Sequence, residues 1–430
     1  MNISIVGTGY VGLVSAAGFA EKGHNVVCVD VIKEKVDAIN SKKSPIYEQG
    51  LEAILEKTVG KNLKATTDLK SAVMNSDVTF ICVGTPSDGN GAVDLSYVKE
   101  VSKNIALVLK DKKSYHVVVV KSTVSPGTTE EIVIPILEKY SGKKAGRDFG
   151  VVMNPEFLRE GVAVQDFMNP DRIVIGSIDQ KSGDVVESIY FKFTSPILRT
   201  ELKTAEMIKY ASNSFLATKI SFINEIGNIC KKLNVDVYDV AKGIGLDHRI
   251  SPHFLKAGPG FGGSCFPKDV KGIIHKATEV EIKPILLESV LKVNENQPKK
   301  VLELARKKVK SFNKKRISIL GLAFKAETDD MRNSPVIPII NGLLAERASL
   351  IAYDSQAINN AKKIFHNKIQ YADSIKEALK DSDLAIIVTD WKEFENIDFN
   401  GMKNKIVIDT RHIVNKNLLP KDVDYEGLCW

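Results

Sequence analysis

Residues 3–30 constrain the fold of this chain more than any other stretch. Ile3 to Val6 is a short apolar strand that runs straight into Gly7-Thr8-Gly9-Tyr10-Val11-Gly12. A helix of small residues follows, Leu13 to Lys22, and Gly23-His24-Asn25 turns the chain into a second apolar strand, Val26 to Val29, ending at Asp30. This is a complete βαβ unit with a glycine-rich first turn. Glycines in that turn let the backbone bend sharply and let a pyrophosphate approach the helix N-terminus, while an acid at the end of the second strand suits a ribose hydroxyl. A lone GxGxxG is a weak signal; set between a strand and a helix, with Asp30 at this distance, it is a specific one. The stretch predicts a dinucleotide site built on Gly7, Gly9, Tyr10, Val11, Gly12 and Asp30.

Two more strand-then-turn units extend the same pattern. Val78 to Val83 ends in Gly84-Thr85-Pro86, and His116 to Val120 ends in Lys121-Ser122-Thr123. Ligands of open α/β sheets bind at the carboxyl ends of the strands, so Thr85 and Thr123 are candidate cofactor neighbours, although either can simply cap a helix. Phe149 to Met153 is a further strand, broken by Asn154-Pro155. The segment after it carries Glu156 and Glu160, and a carboxylate at a strand end can serve as a general base or hold a water.

A second concentration of chemistry lies at Gly258 to Asp269, GPGFGGSCFPKD. Glycines at this density make a loop whose backbone comes close to something. Pro267 suits the first turn of a helix. Cys265 therefore sits just before a helix N-terminus and beside Lys268, both of which favour a thiolate. Asp269 lies four residues on. Between the two regions, Glu201 to Leu233 keeps helical periodicity without a proline and is long enough to link two domains. Lys209 and Asn213 share one face of it, at i and i+4.

The last third repeats the first loosely. Ile317-Ser318-Ile319-Leu320-Gly321 echoes Ile3-Ser4-Ile5-Val6-Gly7, and the strand ending at Asp354 echoes the one ending at Asp30. Its first turn, Leu322-Ala323-Phe324-Lys325, lacks the glycine fingerprint, but Lys325 and Arg332 there can meet a phosphate or a base oxygen. The expected architecture is α/β: two doubly wound, Rossmann-like parallel-sheet domains joined by a long central helix. The expected boundaries are residues 1–200 for dinucleotide binding, 201–300 for a helical domain with the cysteine loop, and 314–430 for a second nucleotide.

Composition narrows the partners. A net charge of +7, from 60 basic and 53 acidic residues spread along the chain, suits anionic small molecules and is too diffuse to argue for nucleic acid. The five cysteines are scattered without a CxxC pair, and no HExxH occurs, so neither a disulfide framework nor a metal site is indicated. A strand already at residues 2–6 and the lack of a membrane-length apolar run lead to the expectation of a reduced, cytoplasmic protein with no membrane partner.

A dinucleotide site, a reactive cysteine and a second nucleotide-like domain point to one kind of reaction. A primary alcohol oxidised to an aldehyde can be captured by the thiolate, oxidised again to a thioester, and hydrolysed to an acid. The chain resembles the UDP-glucose/GDP-mannose dehydrogenase family throughout its length. The resemblance is carried by Gly7 to Gly12 with Asp30, Lys121 to Thr123, NPEFLREG at Asn154 to Gly161, the Lys209/Asn213 pair, GFGGSCFPKD at Gly260 to Asp269, and GLAFK at Gly321 to Lys325. It implies NAD as cofactor, a homodimer built on the central helix, and UDP-glucose as substrate, oxidised by four electrons to UDP-glucuronate. It also implies roles. Cys265 resembles the nucleophile; Lys209, with Asn213 beside it, steadies the oxyanion; and Asp269 orders a water with Lys209. Glu156 is the base for thioester hydrolysis, and Thr123 positions water or cofactor. Lys35, Glu160, Lys268 and Arg332 resemble cofactor contacts. The run Glu156, Phe157, Leu158, Arg159 and Glu160, and the loop Phe254, Leu255, Lys256, Ala257 and Gly258 with Gly262, resemble substrate-binding segments. Lys325 lies on the nucleotide side. Arg249 and Arg411 resemble substrate arginines, Arg249 being offered across a dimer interface.

Phe266-Pro267 after the cysteine and Gly258-Pro259 before Gly260 resemble the UDP-glucose branch, with GDP-mannose oxidation as the alternative. A single-step hydroxyacid dehydrogenase needs no cysteine, and a nucleotide-sensing protein needs no combination of Cys265, Lys209 and Asp269.

Overall fold

The computed structural model describes residues 1–88 and 91–430. The chain divides into two compact units: Met1–Ser212 with Lys271–Val280, and Asn213–Val270 with Glu281–Trp430.

In the first unit, β1 (Asn2–Val6), β2 (Asn25–Val29), β3 (Leu63–Thr66), β4 (Val78–Ile81), β5 (Val117–Val120), β6 (Gly150–Met153), β7 (Ile173–Ser177) and β8 (Ile197–Thr200) form one sheet. Its order is β3-β2-β1-β4-β5-β6-β7-β8, parallel except where β6 meets β7. The central strands, VTFI and VVVV, are buried at every position because helices cover both faces. The two-residue period sorts them. Val117 and Val119 join the core that holds Ile5, Leu13 and Phe19, while Val118 and Val120 join the core that holds Ile105, Leu109 and Leu137. The ladder of β4 ends two residues before the apolar run does. There the N–H groups of Lys121 and Ser122 both turn onto the Ile81 carbonyl, at 2.9 and 3.0 Å, and the chain leaves the sheet.

In the second unit, β9 (Arg316–Leu320), β10 (Ser349–Tyr353), β11 (Gln370–Tyr371), β12 (Leu384–Ile387), β13 (Ile406–Asp409) and β14 (Asp424–Gly427) pair throughout in parallel, in the order β11-β10-β9-β12-β13-β14. That is the order of the first six strands of the other sheet, so the loose internal repeat is a repeat of topology. Ile223, Cys230, Val301 and Ala305 from neighbouring helices complete its core.

A 32-residue helix, Leu202–Leu233, starts in the first unit and ends in the second, with a length of about 48 Å at the usual rise per residue. The helix Phe266–Glu279 also crosses the division. The helix Ile285–Val309 runs through Pro298 without a break. Proline removes one N–H from the interior, leaving the Asn294 carbonyl without its usual donor, yet Gln297, Pro298 and Val301 are buried and packing holds the helix through the gap. No helix among the described residues is long and apolar enough to cross a membrane.

Candidate active site

The glycine turn of the first unit shows three distinct needs for glycine. Gly7 adopts φ +99°, and a Cβ there would lie 2.7 Å from the Cys82 carbonyl oxygen. At Gly12 a Cβ would lie 1.9 Å from the Gly7 carbonyl oxygen, so the helix could not come so close to the strand. At Gly9 a Cβ would meet no protein atom within 4 Å, which leaves the approach of a ligand as the reason for glycine. Asp30 stands at the end of β2. Its Oδ2 accepts from the Thr8 N–H at 2.9 Å and the Thr8 hydroxyl at 2.5 Å, and its Oδ1 accepts from the Ile32 N–H at 3.0 Å. Burial pushes its carboxyl up, but these bonds and the Lys35 charge outweigh that and hold it below the ordinary range. The Tyr10 hydroxyl donates to the Tyr47 carbonyl at 3.0 Å. The Thr85 hydroxyl donates to the Thr123 carbonyl at 2.8 Å and so ties the turn after β4 to the loop after β5.

The carboxyl ends of β5 and β6 hold a buried polar group of residues. Lys209, on the long helix, donates to Glu156 Oε1 at 2.9 Å, and both side chains are almost fully buried. Glu156 Oε2 accepts from the Leu158 N–H at 2.5 Å. Burial raises the Glu156 carboxyl, but Lys209, the Leu158 N–H and Lys121 together carry it below the usual value. Lys121 donates to Asn154 Oδ1 at 3.0 Å, and burial lowers its pKa to about 8. Phe157 lies under the Arg172 guanidinium, 3.8 Å from ring centroid to Cζ, and Arg172 also reaches the Ser212 hydroxyl at 3.2 Å. Arg159 is engaged by Asp166 at 2.6 Å and is largely exposed. Glu48, 113 residues from Gly161, accepts from its N–H at 2.8 Å and from the Ala163 N–H at 2.7 Å, so it anchors the end of the Glu156–Gly161 segment. Glu206 does the same for the loop after Thr123, accepting from Gly127 N–H, Thr129 N–H and the Thr129 hydroxyl at 2.6, 2.8 and 2.6 Å. Burial pushes its carboxyl up to about 7.

In the second unit the glycine loop ends at Cys265, whose carbonyl accepts the Asp269 N–H at 2.8 Å, the first turn of the helix Phe266–Glu279. The thiol lies 3.5 Å from the Ser264 hydroxyl. Asp269 is buried and receives two donors, Asn213 Nδ2 on Oδ2 and Lys268 Nζ on Oδ1, each at 2.6 Å. Lys268, expected among the cofactor contacts, pairs with Asp269 at 2.6 Å. A Cβ at Gly258 would lie 3.0 Å from the Thr410 carbonyl and 3.5 Å from Arg411 Nη1, so Arg411 borders the loop. Arg411 is held by the Val388 and Phe324 carbonyls at 2.7 and 3.1 Å. Leu255 and Ala257 are buried, Lys256 is exposed, and Phe254 adopts φ +63°. Lys325 lies 5.7 Å from the Phe324 ring centroid, and Gly262 packs on Asn333. Arg332 pairs with Asp330 at 2.8 Å, and Arg249, highly exposed, pairs with Asp247 at 2.5 Å. The acid that echoes Asp30 is consumed: Asp354 accepts from Leu322, Ala323, Gln356 and Ala357 N–H groups and from Trp391 Nε1.

Sequence reasoning brings out Cys265, Asp269, Asn213, Glu156 and Lys209 by local pattern. It assigns nothing to Glu48, Glu206, Asn154 or Arg172, whose partners are distant in the chain and leave no short-range signal.

Models of the UDP-glucose/GDP-mannose dehydrogenase family match along the chain: its NAD binding domain at residues 1–194, its central domain at 203–296 and its UDP binding domain at 318–416. The chain belongs to this family. It is 43% identical to a UDP-glucose 6-dehydrogenase of Haloferax volcanii and 40% identical to a GDP-mannose 6-dehydrogenase of Pseudomonas putida, each covered fully along with this chain. A solved UDP-glucose dehydrogenase structure from Pyrobaculum islandicum superposes with a TM-score of 0.94 at 38% identity, over 100% of this chain and 97% of that one. The chain is thus an NAD-dependent oxidoreductase of nucleotide sugars. The residues present fit the cofactor: the Gly9 position leaves room for a pyrophosphate, and Asp30 is an ionised acceptor for a ribose hydroxyl.

Proposed function

We propose that the protein oxidises the C6 alcohol of UDP-glucose to the carboxylate of UDP-glucuronate, with two NAD reduced and one water consumed. The observation that carries this is the setting of Cys265, at the end of a buried glycine loop and the start of a helix, with Asp269 pinned by Asn213 and Lys268. NAD, when bound, accepts the electrons of both oxidations, and Gly7 to Gly12, Asp30, Lys35, Thr85, Glu160 and Arg332 are the residues proposed to hold it. The Cys265 thiolate adds to the aldehyde carbon, giving a thiohemiacetal whose oxidation leaves a thioester. Hydrolysis breaks the C–S bond and returns the thiol. Lys209 supplies positive charge to the oxyanion in both tetrahedral stages. Asp269 orders the attacking water, Glu156 takes its proton, and Thr123 positions it. The loop Phe254–Gly258, Gly262, Lys325 and Arg411 takes the nucleotide diphosphate.

The chain works as a homodimer in this reading, with Arg249 reaching the other subunit. Phe215, Phe222 and Ile229 support it: they recur every seven residues on the long helix and are exposed, a stripe suited to a second copy. Five cysteines, none in a disulfide among the described residues, suit a reducing, cytoplasmic setting.

The test is NADH released against acid formed, with UDP-glucose and GDP-mannose, for the unmodified protein and Cys265→Ala. Two NADH per UDP-glucose is expected, with acid formation abolished by the substitution. A ratio of one, or acid formed without the thiol, refutes the covalent route. A higher kcat/KM for GDP-mannose replaces the substrate.

A further inference from the structure

Residues 257–263 are buried, yet they form neither helix nor strand. A buried irregular segment has no ladder to satisfy its peptide groups, and each one left unpaired costs about 1–3 kcal/mol. Side-chain amides from two helices supply the partners. The Gly258 N–H donates to Asn224 Oδ1 at 2.7 Å, and the Gly258 carbonyl accepts from Gln297 Nε2 at 2.9 Å. Gln297 is oriented in turn by Asn228, whose Nδ2 donates to its Oε1 at 2.8 Å. Asn294 brackets Phe261: its Oδ1 accepts the Phe261 N–H at 2.7 Å and its Nδ2 donates to the Phe261 carbonyl at 3.0 Å, as a strand neighbour would. Pro259, between them, has no N–H to satisfy. Gly260 adopts φ +108°, and a Cβ there would sit 2.8 Å from Asn294 Oδ1, so the loop presses directly on the amide. Beyond Phe261, Gly263 is handed to the Arg332 carbonyl and Asn333 Nδ2, at 2.8 and 3.0 Å.

Asn224 and Asn228 are one turn apart on the long helix, and Asn294 and Gln297 are three residues apart on the helix Ile285–Val309. The long helix thus gives the loop Asn224 and sets Asn228 on Gln297, while Asn294 and Gln297 of the other helix both meet the loop. An amide offers a donor and an acceptor on separate atoms without charge, so one side chain can meet both the N–H and the carbonyl of a peptide residue. Two residues after the last tethered carbonyl, at Gly263, comes Cys265.

We propose that Asn224, Asn294 and Gln297, with Asn228 behind Gln297, are positioning residues that hold the loop Gly258–Gly263 in the conformation that receives the sugar nucleotide. The proposal rests on the reading of that loop as a substrate segment. The amides touch the loop and act through it. They set the place of Gly258, which borders Arg411, and of the short link to the thiol. Replacing one of them releases the loop without altering the reactive groups, so the binding of the sugar nucleotide suffers more than the chemical step.

The experiment compares the unmodified protein with Asn294→Ala, Asn294→Asp and Gln297→Glu. Asn294→Asp keeps the acceptor for the Phe261 N–H and loses the donor, and it guards against a failure of the alanine variant to fold. The KM for the sugar nucleotide should rise roughly tenfold in Asn294→Ala, with kcat changed less and the Kd for NAD unchanged. Backbone hydrogen exchange across residues 255–264 should accelerate in all three variants, and Asn294→Asp should lie between the unmodified protein and Asn294→Ala. Folded variants whose KM and loop exchange stay within about twofold of the unmodified values overturn the proposal, as does a loss confined to kcat. Should the unmodified protein reduce no NAD with either UDP-glucose or GDP-mannose, the reading of the reaction fails separately. Loop exchange and the alkylation rate of Cys265 by iodoacetamide then decide the role of the amides: unchanged values refute it, and faster exchange with an altered alkylation rate upholds it.

Discussion

Replacing Lys209 with methionine should invert the pH dependence of stability in the first unit. Lys209 and Glu156 form an ion pair at 2.9 Å with side-chain exposures of 3% and 6%. Burial alone raises the Glu156 carboxyl; the Lys209 charge and hydrogen bond, the Leu158 N–H and Lys121 more than cancel that and hold it below its ordinary value. With the folded-state pKa below the unfolded one, Glu156 contributes stability above the unfolded pKa, and that contribution is lost as pH falls through the folded value. Methionine preserves much of the packing against Phe157 but leaves burial as the dominant influence, so the carboxyl moves above its unfolded value. The variant then loses stability as pH rises from the unfolded pKa toward the raised folded one. Stripping one member of a buried pair costs about 3–5 kcal/mol. Urea unfolding followed by far-UV circular dichroism, at about pH 5.5 and about pH 8.5, measures the two penalties. The alkaline penalty should be the larger, and Lys209→Met with Glu156→Gln should recover most of it because no unpaired carboxylate remains. Equal penalties at both pH values, or a double variant as unstable as the single one, would refute the reasoning.

The glycine turn separates packing from binding. Gly12→Ala, with its Cβ 1.9 Å from a carbonyl oxygen, should destabilise the fold by about 1–3 kcal/mol or more in thermal unfolding. Gly9→Ala should leave the thermal midpoint unchanged and weaken NAD by about tenfold or more in calorimetric titration, since the methyl would meet only ligand. Asp30→Ala should narrow the preference for NAD over NADP in kcat/KM, because the like charge that repels a 2′-phosphate is gone; equal use of both cofactors by the unmodified protein would contradict this. If the proposed homodimer forms on the exposed stripe, Phe222→Glu in its middle should give a monomer in light scattering, and an unchanged mass would refute that placement of the interface.

Short-range chemistry determined much of this protein from sequence alone. The turn at Gly7 to Gly12, the helix Leu202–Leu233, the helix start after Cys265 and the repeat beginning at Ile317 are all written in windows of a few to thirty residues. Hydrophobic period, glycine placement and capping act over those distances, so they can be read without coordinates. Pro298 is the exception among the elements: local propensity argues for a break, and burial of its neighbours overrules it. What the tertiary structure decided is where buried polar groups find partners. Glu156 meets Lys209 across 53 residues, Glu206 reaches back to Gly127 across 79, and Asn294 takes Phe261 across 33. The same residue types on a surface would be ordinary solvated side chains. Only the path of the chain puts them where water is excluded, and there an unpaired peptide group or charge costs enough that each must be matched to one particular partner.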